Sequence, residues 1–387
     1  MKILSVDIGT GTQDIFLYDS RLNIENGYKL ILPSPTLKIF NKIRQATQNG
    51  LPILLTGKTM GGGPSSWAVE SHIKAGIKIY ATPPAAKTIH DDLDKVAGSG
   101  VIIVSEDEAV TLPDSVLRIE MKDFDFEEIV EVFTNFGANM GDLAAVAVAV
   151  FDHGEAPRGV SDRKFRFDYL DTCIRVRNDL RTFAYQADQI PPAMTRLQAV
   201  VESASQLDVP LIVMDTAPAA VLGATFDPQV RNFRQKLIVN LGNFHTLAFR
   251  LTDLKIEGVF EHHTGFLSRE KLETLLISLA EGSLQNETVF NDQGHGALVY
   301  DHSPFSLETN DFNLVITGPR RSMLNAPKDE ILSRFHPYFA TPFGDMMITG
   351  CFGLLAAVAD LIPNLSGEIF SSLSGNSSDE VTPWDVT

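Results

Sequence analysis

The chain carries the same strand pattern twice. Residues 2–32 read as three apolar strands joined by tight turns, and a second set runs through 236–240, 247–251 and 256–261. Apolar runs of this length bounded by turn residues predict a β-meander in each half. A length of 387 residues exceeds what one hydrophobic core ordinarily covers, so two domains are expected. Each meander is followed by helices and further apolar strands, at 143–151 and 210–214 after the first and at 313–317 after the second. The run Leu143–Phe151 contains no polar residue, which predicts a central parallel strand buried on both faces.

Residues 34–125 interrupt the first half. Pro33-Ser34-Pro35 breaks the meander, and helices expected at 35–48, 65–75 and 84–97 then alternate with strands at 52–56, 77–81 and 100–104. This stretch reads as a small inserted α/β subdomain. A helix is expected at 125–136, a hairpin-like stretch at 155–168, and a helical region from there to Gln189 that resumes over 193–206 beyond Pro191-Pro192. Further helices are expected at 269–281 and 345–361. The segment from Pro363 is rich in Ser, Asn, Gly and acids and is expected to be a mobile tail.

Composition narrows the functions open to the chain. A formal charge of −17 argues against nucleic acid and anionic membranes as partners, since both require clustered cations. The longest apolar runs, 144–151 and 346–359, fall short of the roughly 20 residues that span a bilayer. No leader pattern opens the chain, so the expected location is cytoplasmic. Cys173 and Cys351 are the 2 cysteines, too few for a disulfide framework and without CxxC spacing.

Several segments carry chemistry. Asp7 stands at the mouth of a buried strand and is followed by Gly9, Thr10, Gly11, Thr12 and Gln13. Such a turn offers backbone N–H groups and a carboxylate to a phosphate and its metal ion, although it also serves ordinary hairpins. Asp152-His153-Gly154 ends the apolar strand at the edge where α/β sheets bind ligands. Either side chain there could orient water or accept a hydroxyl proton; the alternative is that Asp152 caps a turn and His153 bonds to backbone. The glycine-rich loop from Thr56 to Pro64 is not a Walker A loop, because Pro52 stands where its first glycine is required. It reads as a connector ahead of a helix or as a substrate contact. His262-His263 and Gly294-His295-Gly296 lack metal-ligand spacing, which suggests structural or surface roles. Arg158, Arg163, Lys164 and Arg166, interleaved with Phe165 and Phe167, suggest an edge strand or an anion contact.

Taken in order, five segments resemble the actin, sugar-kinase and heat-shock-chaperone ATPase superfamily. Asp7–Asp19 resembles its first phosphate loop and Asp215–Gly223 its first connecting helix. Leu237–Thr246 resembles its second phosphate loop, Leu314–Arg320 its adenosine motif and Gly344–Ala357 its second connecting helix. The resemblance implies an α/β fold of two ribonuclease H-like domains with mixed sheets and an interdomain cleft, plus the inserted subdomain. The first domain would comprise 1–33 and 126–223 with a return helix at 345–362, the second 236–344, with 34–125 inserted and 363–387 as the tail. It further implies ATP as ligand, with Mg²⁺ near Asp7 and Asp215 and phosphates at Gly9–Gln13, Gly242 and Asn243. The nucleoside would lie at Gly318, Pro319 and Arg320. ATP hydrolysis or phosphoryl transfer to a small molecule would follow, with Asp152 as base beside His153.

The departures from the pattern are Asn240, where the superfamily has aspartate, and Asn243-Phe244, where it has glycines. They favour the alternative of a non-catalytic nucleotide sensor read by a protein partner. The chain also resembles an archaeal and anaerobe family labelled pyruvate formate-lyase activating enzyme. Radical activators of that kind need a CxxxCxxC cluster motif, which Cys173 and Cys351 do not form. An ATP-driven activase bridging a cluster between subunits is the version of that label the residues leave open.

Overall fold

The computed structural model describes residues 1–305, 307, 313–325, 336–375, 381–382 and 384. The opening meander forms as expected: β1 (Lys2–Ile8), β2 (Thr12–Asp19) and β3 (Tyr28–Pro33) pair antiparallel. The insertion then starts abruptly. Pro35 fits the first helical turn and the Ser34 hydroxyl accepts Leu37 N–H at 3.1 Å, which opens α1 (Pro35–Gln48).

Within the insertion follow β4 (Ile53–Gly57), α2 (Pro64–Lys74) and β5 (Ile79–Ala81). The single helix expected at 84–97 is two, α3 (Pro83–Ala86) and α4 (Leu93–Gly98), because the Asp92 carboxylate accepts Asp94 N–H and starts a new helix. After β6 (Ile102–Ile103), a Ser105/Glu108 capping box starts α5 (Glu106–Thr111), and β7 (Leu117–Met121) completes a wholly parallel sheet in the order β6-β5-β4-β7. Neither α5 nor β7 was anticipated in the sequence.

The first domain resumes with α6 (Phe126–Asn135) and β8 (Leu143–Val150), the latter parallel to β1. The hairpin expected up to Asp168 is instead the start of α7 (Asp162–Val176). Arg166, Phe167, Leu170 and Ile174 form its buried face, and the interleaved charges obscure that helical spacing. The helix stops at Val176, short of the expected Gln189, and leads to β9 (Ala184–Gln186), α8 (Thr195–Ser203), β10 (Leu211–Asp215), α9 (Thr216–Ala224) and α10 (Pro228–Arg231).

The second half repeats the scheme. Strands β11 (Gln235–Leu241), β12 (His245–Thr252) and β13 (Lys255–His263) form its meander. They lead to α11 (Arg269–Ala280), α12 (Asn286–Phe290), β14 (Gly296–Val299), β15 (Leu314–Thr317), β16 (Tyr338–Phe339) and α13 (Thr349–Leu361). Residues 363–373, expected in a mobile tail, form α14 (Pro363–Leu373), which buries Ile369 and Leu373 and links Ser372 to Tyr18 at 2.8 Å. Of that tail, 376–380, 383 and 385–387 lie outside the described residues.

Sheet order makes the duplication explicit. The first sheet runs β3-β2-β1-β8-β10-β9 and the second β14-β13-β12-β11-β15-β16. In each, the first meander strand lies beside a parallel strand, β8 or β15, which pairs in turn with another parallel strand, β10 or β16. The fold is therefore α/β: two ribonuclease H-like domains with mixed sheets facing an interdomain cleft, plus the inserted α/β subdomain.

The halves meet where α9 and α13 cross. Both helices are buried along almost their whole length, and neither has a polar face because α9 packs against strands of both domains while α13 lies between α9, α14 and the first domain's sheet. Close approach depends on glycine. A Cβ on Gly353 would stand 2.0 Å from the Ala219 carbonyl oxygen, and one on Gly223 1.8 Å from that of Thr349. Gly353→Ala is expected to destabilise the protein by about 2 kcal/mol or more through overpacking. Gly367→Ala, on α14 with nothing near its added carbon, is expected to be neutral or stabilising. Urea unfolding of the two variants checks this; equal midpoints would contradict a glycine-dependent crossing.

Candidate functional site

The two domains carry the same turn. After β1, Gly9 N–H donates to Thr12 C=O at 2.9 Å; after β11, Gly242 N–H donates to His245 C=O at 3.0 Å. Asp7 and Asn240 occupy the same place, two residues before each glycine. The turns face each other across the cleft, so that a Cβ on Gly11 would lie 2.7 Å from Asn243 Nδ2. Ser34 fixes the first turn by donating to the Thr10 carbonyl at 2.6 Å.

Between the turns lies a cavity of about 490 Å³, within the usual range for small-molecule sites. All five motif segments reach it, through Asp7 and Gly9–Thr12, Thr216 and Ala220, Asn240 and Gly242–Phe244, Thr317–Pro319, and Thr349 and Gly350. Gln13, Arg320 and Asp215 do not line it. The insertion closes one side: Phe244, in place of a glycine, lies 5.7 Å from the Trp67 ring and against Gly63. The Thr56–Pro64 loop thus contributes Thr59, Met60 and Gly61–Gly63 to the wall.

The cavity floor is acidic. Asp7 and Asp14 are directly opposed on β1 and β2 and project to one face. Asp7 Oδ1 accepts the Thr216 hydroxyl at 2.5 Å, while Asp14 Oδ1 is buried without a hydrogen-bond partner. Burial, partly offset by Thr216 and reinforced by Asp215, pushes the Asp7 carboxyl up to about 7. Burial and the neighbouring Asp7 push Asp14 to about 8. Sequence reasoning passed over Asp14; its register opposite Asp7 in the meander was the available signal.

Asp215, expected beside Asp7 as a metal ligand, is committed elsewhere. Its carboxylate pairs with the buried Arg166 guanidinium and accepts Ala217 N–H, capping α9. The Asp152 carboxylate, expected as a base, is likewise engaged. It accepts Gly154 N–H at 2.8 Å, Arg196 N–H at 3.0 Å and Leu197 N–H at 2.9 Å, which holds the loop and the start of α8. His153 does line the cavity, with Nδ1 on the Gly154 carbonyl and Asp91 and Asp162 close by.

A histidine cluster makes up the opposite wall. His245 and His263 are cross-strand partners on β12 and β13, and His295 precedes β14. Their ring centroids lie 4.6–5.0 Å apart. Beneath them Glu261 is fully buried, accepting from His245 Nδ1 at 2.8 Å and from Arg166 Nε at 3.0 Å. Burial opposes its charge, but His295, Arg166 and His245 outweigh this and hold its carboxyl well below the ordinary range. Burial lowers His263 to about 4 and His295 to about 3, so both imidazoles are neutral at physiological pH. The surface or structural roles expected of His263 and His295 do not describe this arrangement. Period-2 alternation places Glu261 and His263 on one face of β13, but only the fold brings His295 to them.

The raised carboxyls give stability a pH dependence. Asp7 and Asp14 keep their protons in the folded chain at pH values where the unfolded chain, at an ordinary 3.8, has lost them. Their contribution therefore falls as pH rises from about 4 to 8 in cation-free solution. Asp14→Asn is expected to flatten that fall and to raise the urea midpoint at pH 8.5 relative to wild type. An unchanged slope between pH 5 and 8.5 would contradict the placement of these carboxyls.

No curated protein matches the sequence significantly. Among solved structures, the ethanolamine utilization protein EutJ from Carboxydothermus hydrogenoformans covers 92% of this chain and 89% of its own at 11% identity, with a TM-score of 0.33. The apo psk41 ParM protein covers 94% and 98% at 11% identity, with a TM-score of 0.32. The ROK hexokinase from Thermus thermophilus is similar over 66% of this chain and 47% of its own, at 9% identity and a TM-score of 0.23, so the chain spans about half of that enzyme. The fold assignment rests on strand order rather than on these distant likenesses. No helix among the described residues is long and apolar enough to cross a membrane. Residues 60–323, more than half of the chain, match the family described as "Putative pyruvate format-lyase activating enzyme (DUF1786)", and the chain belongs to that family.

Proposed function

We propose that the protein binds ATP with Mg²⁺ in the cleft and turns over the γ-phosphoryl group, by hydrolysis or by transfer to a small molecule. The observation that carries this reading is the pair of facing turns, each with the same glycine N–H to i+3 carbonyl bond and each offering backbone N–H groups to phosphate oxygens. The nucleoside would lie toward Thr317–Pro319. The cationic side chains lining the cavity already have partners: Lys87 on Glu155, Arg196 on Asp123, and Arg163 on the carbonyls of Phe290 and Gly294. Phosphate charge must then be met by amides and a cation.

Asp7 and Asp14 fit that cation. Two buried carboxylates side by side, one with an unpartnered oxygen, present the hard oxygen donors that Mg²⁺ prefers. Bound there, Mg²⁺ would neutralise the β- and γ-phosphate oxygens. Asp215, held by Arg166, would act at one remove by fixing the start of α9. With Asp152 held by three amides, His153 is the side chain better placed to orient a hydroxyl or water, with Asp91 and Asp162 beside it.

The family description does not convert into radical chemistry here. Cys351 is fully buried against the carbonyls of Ser5 and Asp14, and Cys173 contacts the Tyr185 hydroxyl at 3.6 Å. Two separated cysteines do not fit an iron–sulfur cluster within the chain, and a buried Cys351 does not fit one shared between subunits. A second reading, a nucleotide sensor whose closure is read by a protein partner, is favoured by Asn240. Its side chain lies against the Gly318 turn and supplies no carboxylate from the second domain.

Calorimetric titration with ATP tests the reading. Expected is one site per chain, at least tenfold weaker without Mg²⁺ or in Asp7→Asn, and blocked by Gly11→Val, whose side chain fills the gap before Asn243. Binding indifferent to both substitutions would contradict it. Phosphate release measured on the same samples separates turnover from sensing.

A further inference from the structure

We propose that His245, His263 and His295 form a site for one divalent transition-metal ion, for which Zn²⁺ is the fitting probe. The proposal stands apart from the nucleotide reading. One ring nitrogen from each histidine lies within 4.8 Å of the others. A four-coordinate ion with bonds of about 2.0–2.1 Å needs nitrogens roughly 3.4 Å apart, so small side-chain rotations close the triad on a metal.

Three features separate this cluster from ordinary core histidines. Buried polar atoms are normally hydrogen-bonded, yet the buried His295 Nδ1 faces the Glu261 carboxylate at 3.5 Å without completing a hydrogen bond, so a small rotation of the ring improves that contact as it brings the other nitrogen to an ion. Secondly, Glu261 stands behind the rings, 2.8 Å from His245 Nδ1 and 3.5 Å from His295 Nδ1. A carboxylate on the remote nitrogen fixes the tautomer and orientation of metal-ligating imidazoles, and it leaves Nε2 of both residues for the ion. Thirdly, Glu261 is itself held by Arg166 and fully buried, so the arrangement is rigid beneath and open above. All three histidines line the cavity.

Three imidazole nitrogens suit Zn²⁺, Fe²⁺, Co²⁺ or Ni²⁺ rather than Mg²⁺, which requires oxygen donors. The ion is thus distinct in kind from one at Asp7 and Asp14. Three protein ligands leave a coordination position directed into the cavity, as in catalytic rather than structural sites. That position would take an oxygen or nitrogen donor of a small molecule entering the cleft. The other metal-capable group on the cavity wall, Asp91, His153 and Asp162, includes an exposed carboxylate and serves as the internal comparison.

The test uses the full chain stripped of metal by a chelator and titrated with Zn²⁺ calorimetrically and with Co²⁺ by visible absorption. Expected is one Zn²⁺ per chain, weakened at least 100-fold by His263→Ala and unaffected by His153→Ala. Glu261→Gln is expected to weaken binding about 10- to 100-fold while leaving the stoichiometry intact. The Co²⁺ form is expected to show the intense absorption of a four- or five-coordinate ion, a readout that remains available if a variant fails to fold. Absence of stoichiometric binding, binding that survives His263→Ala, binding lost with His153→Ala, or the weak absorption of a six-coordinate Co²⁺ ion would overturn the proposal.

Discussion

The crossing of α9 and α13 is the contact on which the rest of the structure depends. Only glycine at 223 and 353 lets the two backbones approach so closely, since any side chain would overlap a carbonyl of the other helix. The crossing also brings the start of both helices to Asp7. Thr216, the first residue of α9, donates to its carboxylate, and a Cβ on Gly350 at the start of α13 would fall 1.8 Å from Oδ2. Two positive helix ends therefore converge beside the first glycine turn. Asp7 is desolvated because the helices cross there, so its raised proton affinity is a consequence of how the halves are joined.

A second link ties the domains together at the back of the cleft. Arg166 on α7 lies fully buried between Asp215 of the first domain and Glu261 of the second. Burial alone would lower its proton affinity, but the two carboxylates raise it instead. Removing one member of such a buried group typically costs 3–5 kcal/mol because the others are left unpaired. The same guanidinium holds the cap of α9 and, through Glu261, the histidine wall. A movement that opened the domains would strain the Arg166–Glu261 end of this bridge and leave the Arg166–Asp215 pair intact within the first domain.

Much of the architecture was legible because strands and turns repeat. The two meanders, the apolar β8 and the connecting helices are written in local pattern, and the paired glycine turns follow from glycine positions within it. The failures share one cause: long-range partners decide what local chemistry leaves open. The charges of Arg163, Lys164 and Arg166 hid the apolar face of α7, since Arg166 is buried by carboxylates that lie 49 and 95 residues away. Ser, Asn and Gly after Pro363 suggested disorder, yet Ile369 and Leu373 find a groove beside Tyr18. Asp152 and Asp215 carry the right side chains for chemistry, but backbone amides and Arg166 occupy them. The histidines are 18 and 32 residues apart in pairs along the chain, and only antiparallel pairing of β12, β13 and β14 brings them together.

The account's central claim is that one ligand is gripped by equivalent turns from both domains at once. Hydrogen–deuterium exchange of the full chain, with and without ATP and Mg²⁺, addresses it directly. The account predicts that peptides covering Gly9–Thr12 and Gly242–Phe244 gain protection together, at the same nucleotide concentration. Protection confined to one turn, or appearing only in the inserted subdomain, would contradict it.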